Sequence, residues 1–278
     1  MRISALQTGT VAVKEAQREG RGSGPARIVN VLRGKQWTEP LPIHVWVIEH
    51  PEGVIVVDTG ETARVMEPGW FPRWNPYFRN AVRFSVRPDQ EIGPQLEHIG
   101  VSPQRVRWVV ITHMHTDHAG GLPAFPQAEI LVTQAELDAS SGVSGRINGY
   151  LPQHRPDWFA PRVVEWDSEP WGPFPASMPL TSAGDVRLVP TPGHTPGHMS
   201  VVVQEAEGPL IFFAGDTSYT QELMRRGAVD GVSADPAAAA ETLRRIHDLC
   251  AAGDVVYLPT HDPESARRLA SRSPVPRS

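Results

Sequence analysis

Thr112-His113-Met114-His115-Thr116-Asp117-His118 places three histidines and an aspartate within six residues. Val109-Val110-Ile111 runs into this stretch as a short β-branched strand, and Ala119-Gly120-Gly121 leaves it as a flexible turn. On an extended segment His113 and His115, two positions apart, point to the same side and can share one cation. Asp117 and His118 then fall on the turn, free to face a second.

Four donors are too few for two metals, so further ligands are required downstream. His194 lies in Thr191-Pro192-Gly193-His194-Thr195-Pro196-Gly197-His198, a Pro/Gly turn between the strand-like runs 186–189 and 200–203. Asp216 follows the apolar run Leu210-Ile211-Phe212-Phe213-Ala214, and His261 follows Val255-Val256-Tyr257-Leu258. Each candidate occupies a loop just after an apolar strand, where open sheets gather their functional residues.

The order His-x-His-x-Asp-His, then His, Asp and His, resembles the metallo-β-lactamase superfamily, and Val57-Asp58-Thr59-Gly60 resembles its early strand-to-turn signature. The resemblance runs from about Leu41 to His261. It implies an α/β fold, a four-layer αββα sandwich with two divalent metals at one edge. By that resemblance His113, His115 and His194 hold one metal, Asp117, His118 and His261 the other, and Asp216 bridges them along with a water or hydroxide. Metallo-β-lactamases proper use a cysteine ligand where this chain has Asp216, which argues against antibiotic hydrolysis. The donors suit zinc, and also iron, cobalt or manganese.

The 278 residues are read as a single domain, with an aromatic-rich insertion at about 64–87 and a frayed tail at about 271–278. A net charge of −5 implies no broad polyanion-binding surface, so no nucleic-acid partner is expected. The single cysteine, Cys250, excludes an internal disulfide and reads as a packed helix residue. Neither a signal-like start nor a membrane-length apolar run is present, so the default expectation is a cytoplasmic protein without a membrane partner.

Gly20 to Pro25 reads as a mobile loop between two early strands, and 43–48 with 54–57 as a hairpin. His44 and His50 are ordinary strand and turn residues on this reading, and His98, His154 and His247 are not ligands. Asp58 either supports the metal site from behind or caps its turn. Prolines 68, 72 and 76 forbid one long helix in the aromatic stretch. Met66, Trp70, Phe71, Trp74, Tyr77, Phe78 and Phe84 there are candidates to line an apolar pocket, to cover the sandwich edge or to form a homodimer contact. Residues 142–179 read as irregular, and Asp235-Pro236 opens a helix running to Ala252.

Gly215-Asp216-Thr217-Ser218-Tyr219-Thr220 is similar to the N-acyl homoserine lactone lactonases, the quorum-quenching enzymes, in which a tyrosine three residues after the bridging aspartate faces the substrate. Tyr219 matches that position. The implied reaction is opening of the lactone ring by hydroxide held between the metals. Tyr219 then donates to the oxyanion and Asp117 carries a proton to the leaving oxygen. The implied partner is a small molecule with an apolar acyl chain. A glyoxalase II-like thioesterase or another ester hydrolase on the same fold is the alternative, and a non-catalytic metal-binding protein a third reading. Glyoxalase II-like enzymes need a positive anchor for their substrate, and none is evident in the sequence.

Overall fold

The computed structural model describes residues 1–277, and Ser278 lies outside the described residues. In chain order the elements begin with β1 (Arg2–Val13), α1 (Glu15–Arg18), α2 (Ala26–Arg33), β2 (Leu41–His50), β3 (Gly53–Val57), α3 (Pro76–Asn80) and β4 (Val82–Ser85). They continue with α4 (Ile92–His98), β5 (Val106–Val110), α5 (Thr116–Ala119), β6 (Glu129–Val132), α6 (Gln134–Ala139), α7 (Gly142–Ile147), β7 (Arg162–Val163) and β8 (Met178–Pro179). The last are β9 (Val186–Pro190), β10 (Met199–Val203), β11 (Leu210–Gly215), α8 (Gln221–Arg225), α9 (Pro236–Ala252), β12 (Val255–Pro259) and α10 (Ser265–Ser271).

Two sheets result, one ordered β4-β1-β2-β3-β5-β6-β7 and the other β12-β11-β10-β9-β8. Between them Trp46, Ile48, Val110, Leu131, Val201, Phe213 and Leu258 form one packed core. A second cluster lies on the outer face of the first sheet under α4, through Val45, Val47, Val109, Ile111, Ile92 and Leu96. A third joins the second sheet to α9 through Phe212, Tyr257, Leu243, Ile246 and Cys250. Helices outside two face-to-face sheets make the expected four layers. Strands covered on both faces cannot alternate, which is why β2 is buried at eight consecutive positions. Each fully buried large apolar side chain contributes about 1.5–3 kcal/mol.

The helix at Asp235-Pro236 forms as the sequence reading expects. Asp235 accepts from the backbone N–H groups of Ala237 and Ala238 at 2.9 and 3.0 Å, a cap worth about 1 kcal/mol. Ala239, Leu243, Ile246 and Cys250 then bury one stripe of α9.

Other local expectations are corrected. Residues 20–25 are the expected loop between β1 and β2, but α1 and α2 flank it on that connection. The aromatic stretch ends in β4, which pairs with β1 through Phe84 opposite Val11. Residues 142–179 contain α7, β7 and β8. Within the tail expected to fray, Val275 is buried and its N–H donates to Val255 O at 2.8 Å, while Ser278 lies outside the described residues.

Candidate metal centre

The C-terminal ends of β3, β5, β11 and β12 and the β9–β10 turn meet at one edge of the sandwich. His113, His115 and His194 form one group whose ligand atoms lie within 4.8 Å of one another. Asp117, His118 and His261 form a second such group, and His113, His118 and Asp216 a third. Asp216 stands among them, with Oδ1 3.3 Å from His118 Nε2 and Oδ2 3.4 and 3.6 Å from His261 and His194 Nε2. Asp117 Oδ2 lies 3.5 Å from His261 Nε2. Asp117 and His118 sit on the short helix α5 rather than on a plain turn.

Two glycines make the approach possible. A Cβ at Gly193, where φ is +142°, would lie 2.3 Å from the Ala239 backbone, so only glycine lets the His194 turn press on α9. At Gly215, with φ +55°, a Cβ would overlap His198 Nε2 at 2.5 Å. That ring nitrogen instead accepts the Asp216 N–H at 3.0 Å, so His198 orients Asp216 from outside the ligand groups.

Partners behind the imidazoles fix which nitrogen faces inward. His261 Nδ1 meets the Pro42 carbonyl at 2.9 Å, and since a carbonyl only accepts, Nδ1 carries the proton and Nε2 keeps its lone pair. The same holds for His118 against Asp58 at 2.8 Å and His194 against Asp230 at 3.2 Å. Thr112 Oγ1 donates to Asp58 Oδ2 and so accepts from His113 Nδ1. Asp58 thus supports the site from behind, and also accepts the Thr112 N–H at 2.8 Å.

Such an arrangement is electrostatically incomplete without positive charge. His194 Nε2 and His115 Nδ1 face each other at 3.2 Å. His113 Nε2, His118 Nε2 and Asp216 Oδ1 are buried and, among the described residues, have no hydrogen-bond partner. Burial first, then the neighbouring histidines, hold His113 and His115 well below the ordinary imidazole pKa, in the neutral ligating form. Burial opposes the charge of His118 and His261, yet Asp216 outweighs it and raises both. Burial would likewise raise Asp216, but His261 and His118 hold it well below the carboxylate range. Orphaned inward lone pairs around a central carboxylate fit a pair of divalent cations.

A cavity of about 660 Å³ opens onto His115, Asp117, His194, Asp216, Tyr219 and His261. Its walls include Val11, Val13, Leu32, Trp74, Phe78 and Phe84. Three aromatic-stretch candidates are elsewhere. Met66 is 58% exposed, and Trp70 stacks on His154 at 3.6 Å beside a separate 80 Å³ hollow. Phe71 packs behind the wall on Phe78 and Phe84.

Several residues at or behind the site escaped the sequence reading. Gln17, Arg27 and Tyr150 line the cavity beside the expected Tyr77, and Asp230 supports His194. Only Glu136 carried a signal, as the fourth residue of a Thr-x-x-Glu capping box at Thr133. Its carboxylate accepts instead from Met114 N at 2.8 Å and Gly197 N at 3.2 Å, tying together the two histidine-bearing loops.

The sequence profile of the metallo-beta-lactamase superfamily matches residues 38–261. The chain belongs to this superfamily. Within the superfamily it is 35% identical over 193 residues to a probable metallo-hydrolase of Mycobacterium tuberculosis, covering 68% of this chain but 59% of that protein's length. An N-acyl homoserine lactonase of a Bacillus species is 28% identical over 229 residues, 82% of this chain and 84% of the relative. A solved N-acyl homoserine lactone hydrolase with N-hexanoyl-L-homoserine at its metal center superposes with a TM-score of 0.75 at 20% identity, covering 95% and 94% of the two chains. The metallo-beta-lactamase fold follows. Among the described residues no helix is long and apolar enough to cross a membrane.

Proposed function

We propose that the protein opens the lactone ring of N-acyl homoserine lactones, using two divalent cations, zinc or else iron, cobalt or manganese. The observation that carries this reading is the 660 Å³ cavity, apolar on its walls and lined where it meets the metal centre by Asp117, Asp216 and Tyr219. The similarity to the Bacillus lactonase across most of both chains supports it.

When bound, the cations lower the pKa of coordinated water towards 7 and polarise a carbonyl oxygen. His113, His115 and His194 would hold one, and Asp117, His118 and His261 the other, with Asp216 between them. Burial keeps the Tyr219 phenol protonated, its pKa raised well above 10, so it donates a hydrogen bond to the oxygen on which negative charge develops. Water's oxygen joins the carbonyl carbon, the ring C–O bond breaks, and the departing oxygen needs a proton. Asp117, on the cavity wall, would take up the proton that the attacking water gives off and pass it to that oxygen. The apolar wall receives the acyl chain.

Arg27 favours a second reading. It lines the same cavity and supplies a positive group suited to the anionic tail of a glutathione thioester. Metal-loaded protein should be assayed with acyl homoserine lactones of four to twelve carbons and with a hydroxyacyl-glutathione. Lactone opening that strengthens with chain length is the expected result. Turnover of the thioester alone would replace the lactone reading with the thioesterase.

A further inference from the structure

The side-chain amide of Gln17, on α1, stands between two phenols. Its Nε2 lies 2.8 Å from Tyr77 Oη and 2.8 Å from Tyr219 Oη. Tyr77 comes from α3 and Tyr219 from the segment after β11, so three elements far apart in sequence converge here. All three side chains line the cavity that holds the metal ligands. The Tyr219 ring also stacks on the His261 imidazole with centroids 5.6 Å apart.

Counting hydrogens decides what this cluster can do. An amide nitrogen carries two, and here each is directed at one phenol oxygen. Each phenol has therefore accepted a bond and still has its own O–H to give. Among the described residues neither hydroxyl donates to any acceptor, because the bond from Gln17 is the only one either oxygen makes. Both phenols open onto the same cavity as Asp117, Asp216 and His261, at the metal-binding edge. Gln17 itself is 3% exposed, and its Oε1 is buried without a partner. An amide kept at that cost, where an apolar side chain would fill the space, is explained by the two donations it makes.

We propose that Tyr77 is a second hydrogen-bond donor to the oxyanion formed in the reaction, acting beside Tyr219, and that Gln17 is the positioning residue that turns both hydroxyl hydrogens towards it. This rests on the hydrolase reading above, and it adds two residues from outside the motifs that carry the superfamily resemblance. A pair of donors suits an acyl transfer in which charge collects on one oxygen, since each donor is worth most at the transition state.

The test uses metal-loaded full-length protein and the variants Tyr77→Phe, Gln17→Glu and Gln17→Met, each checked for metal content and unfolding midpoint. A carboxylate at position 17 only accepts, so in Gln17→Glu both phenol hydrogens turn towards it and away from the substrate. We expect kcat to fall about 10²-fold in Gln17→Glu and in Tyr77→Phe with KM little changed, the magnitude of losing an oxyanion donor. Gln17→Met, which leaves the hydroxyls free but unaligned, should lose less. Calorimetric binding of a cyclic phosphonate, a tetrahedral anion mimic, should weaken in parallel. Parental kcat and phosphonate affinity in both Tyr77→Phe and Gln17→Glu overturn the proposal. If the parent opens no lactone, the lactone reading fails separately. The variants are then compared on p-nitrophenyl esters, where equal kcat overturns this inference as well.

Discussion

Replacing Asp58 by Asn should weaken both cations, and the structure says why. Asp58 uses both oxygens: Oδ1 accepts the Thr112 N–H at 2.8 Å, while Oδ2 accepts from Thr112 Oγ1 at 2.9 Å and from His118 Nδ1 at 2.8 Å. An amide offers one oxygen. If that oxygen stays on Thr112 N, the NH₂ group faces His118 Nδ1 and forces it to accept. The proton then moves to Nε2, the nitrogen that points at Asp216, and the ring can no longer offer a lone pair there. Asp58 has φ 60°, a left-handed conformation that Asn tolerates well, so the exchange isolates the tautomer effect from backbone strain. Loss of such a supporting partner costs about 10- to 100-fold in metal affinity, or about 1.4–2.7 kcal/mol. Competition titrations against a chelator of known affinity, on parent and variant, give both dissociation constants. The NH₂ group also meets Thr112 Oγ1, whose hydrogen then turns to His113 Nδ1 and displaces that ring's proton in the same way, so the expected result is weakening of both sites. Two unchanged constants would refute the tautomer argument.

Two further outcomes follow from burial. His44 has both ring nitrogens buried without partners. Burial, with the nearby charge of His261, outweighs the carbonyls of Leu6 and Asp262 and lowers its pKa from 6.5 to about 4. The unfolded chain therefore takes up this proton first, so its contribution to stability is complete above pH 6.5 and is lost as pH falls towards 4. From pH 7.5 to 5 the loss is about 2 kcal/mol, and His44→Leu should remove that part of the acid sensitivity in urea melts. An unchanged pH slope counts against it. Cys250 is buried in α9, and burial pushes its thiol up to about 12, so alkylation at pH 8 should proceed only after unfolding. Rapid labelling of the folded protein would contradict that packing.

The fold and the clustered histidines and aspartates were legible because both rest on local signals. Apolar strands ending in His or Asp are visible one at a time, and their convergence follows once the strands stack in two sheets. Gln17 and Asp230 carried no such signal, and Tyr77 stood out only as one member of the aromatic stretch. Each acts through a partner at least 36 positions away, and a lone Gln or Tyr has no spacing rule that distinguishes it from a packed residue. Helix α2 was hidden by the glycines before it. In the aromatic stretch, composition could not tell wall residues from those behind the wall. Phe71 and Phe78 look alike in sequence, yet only Phe78 reaches the cavity.

The central claim is that seven side chains hold two cations with Asp216 between them. It is tested most directly by metal analysis of the purified protein after loading and gel filtration, on the parent and on Asp216→Asn. The expected result is two divalent ions per chain in the parent and loss of the pair in the variant. A parent that retains one ion or none, or a variant that still retains two, would contradict it.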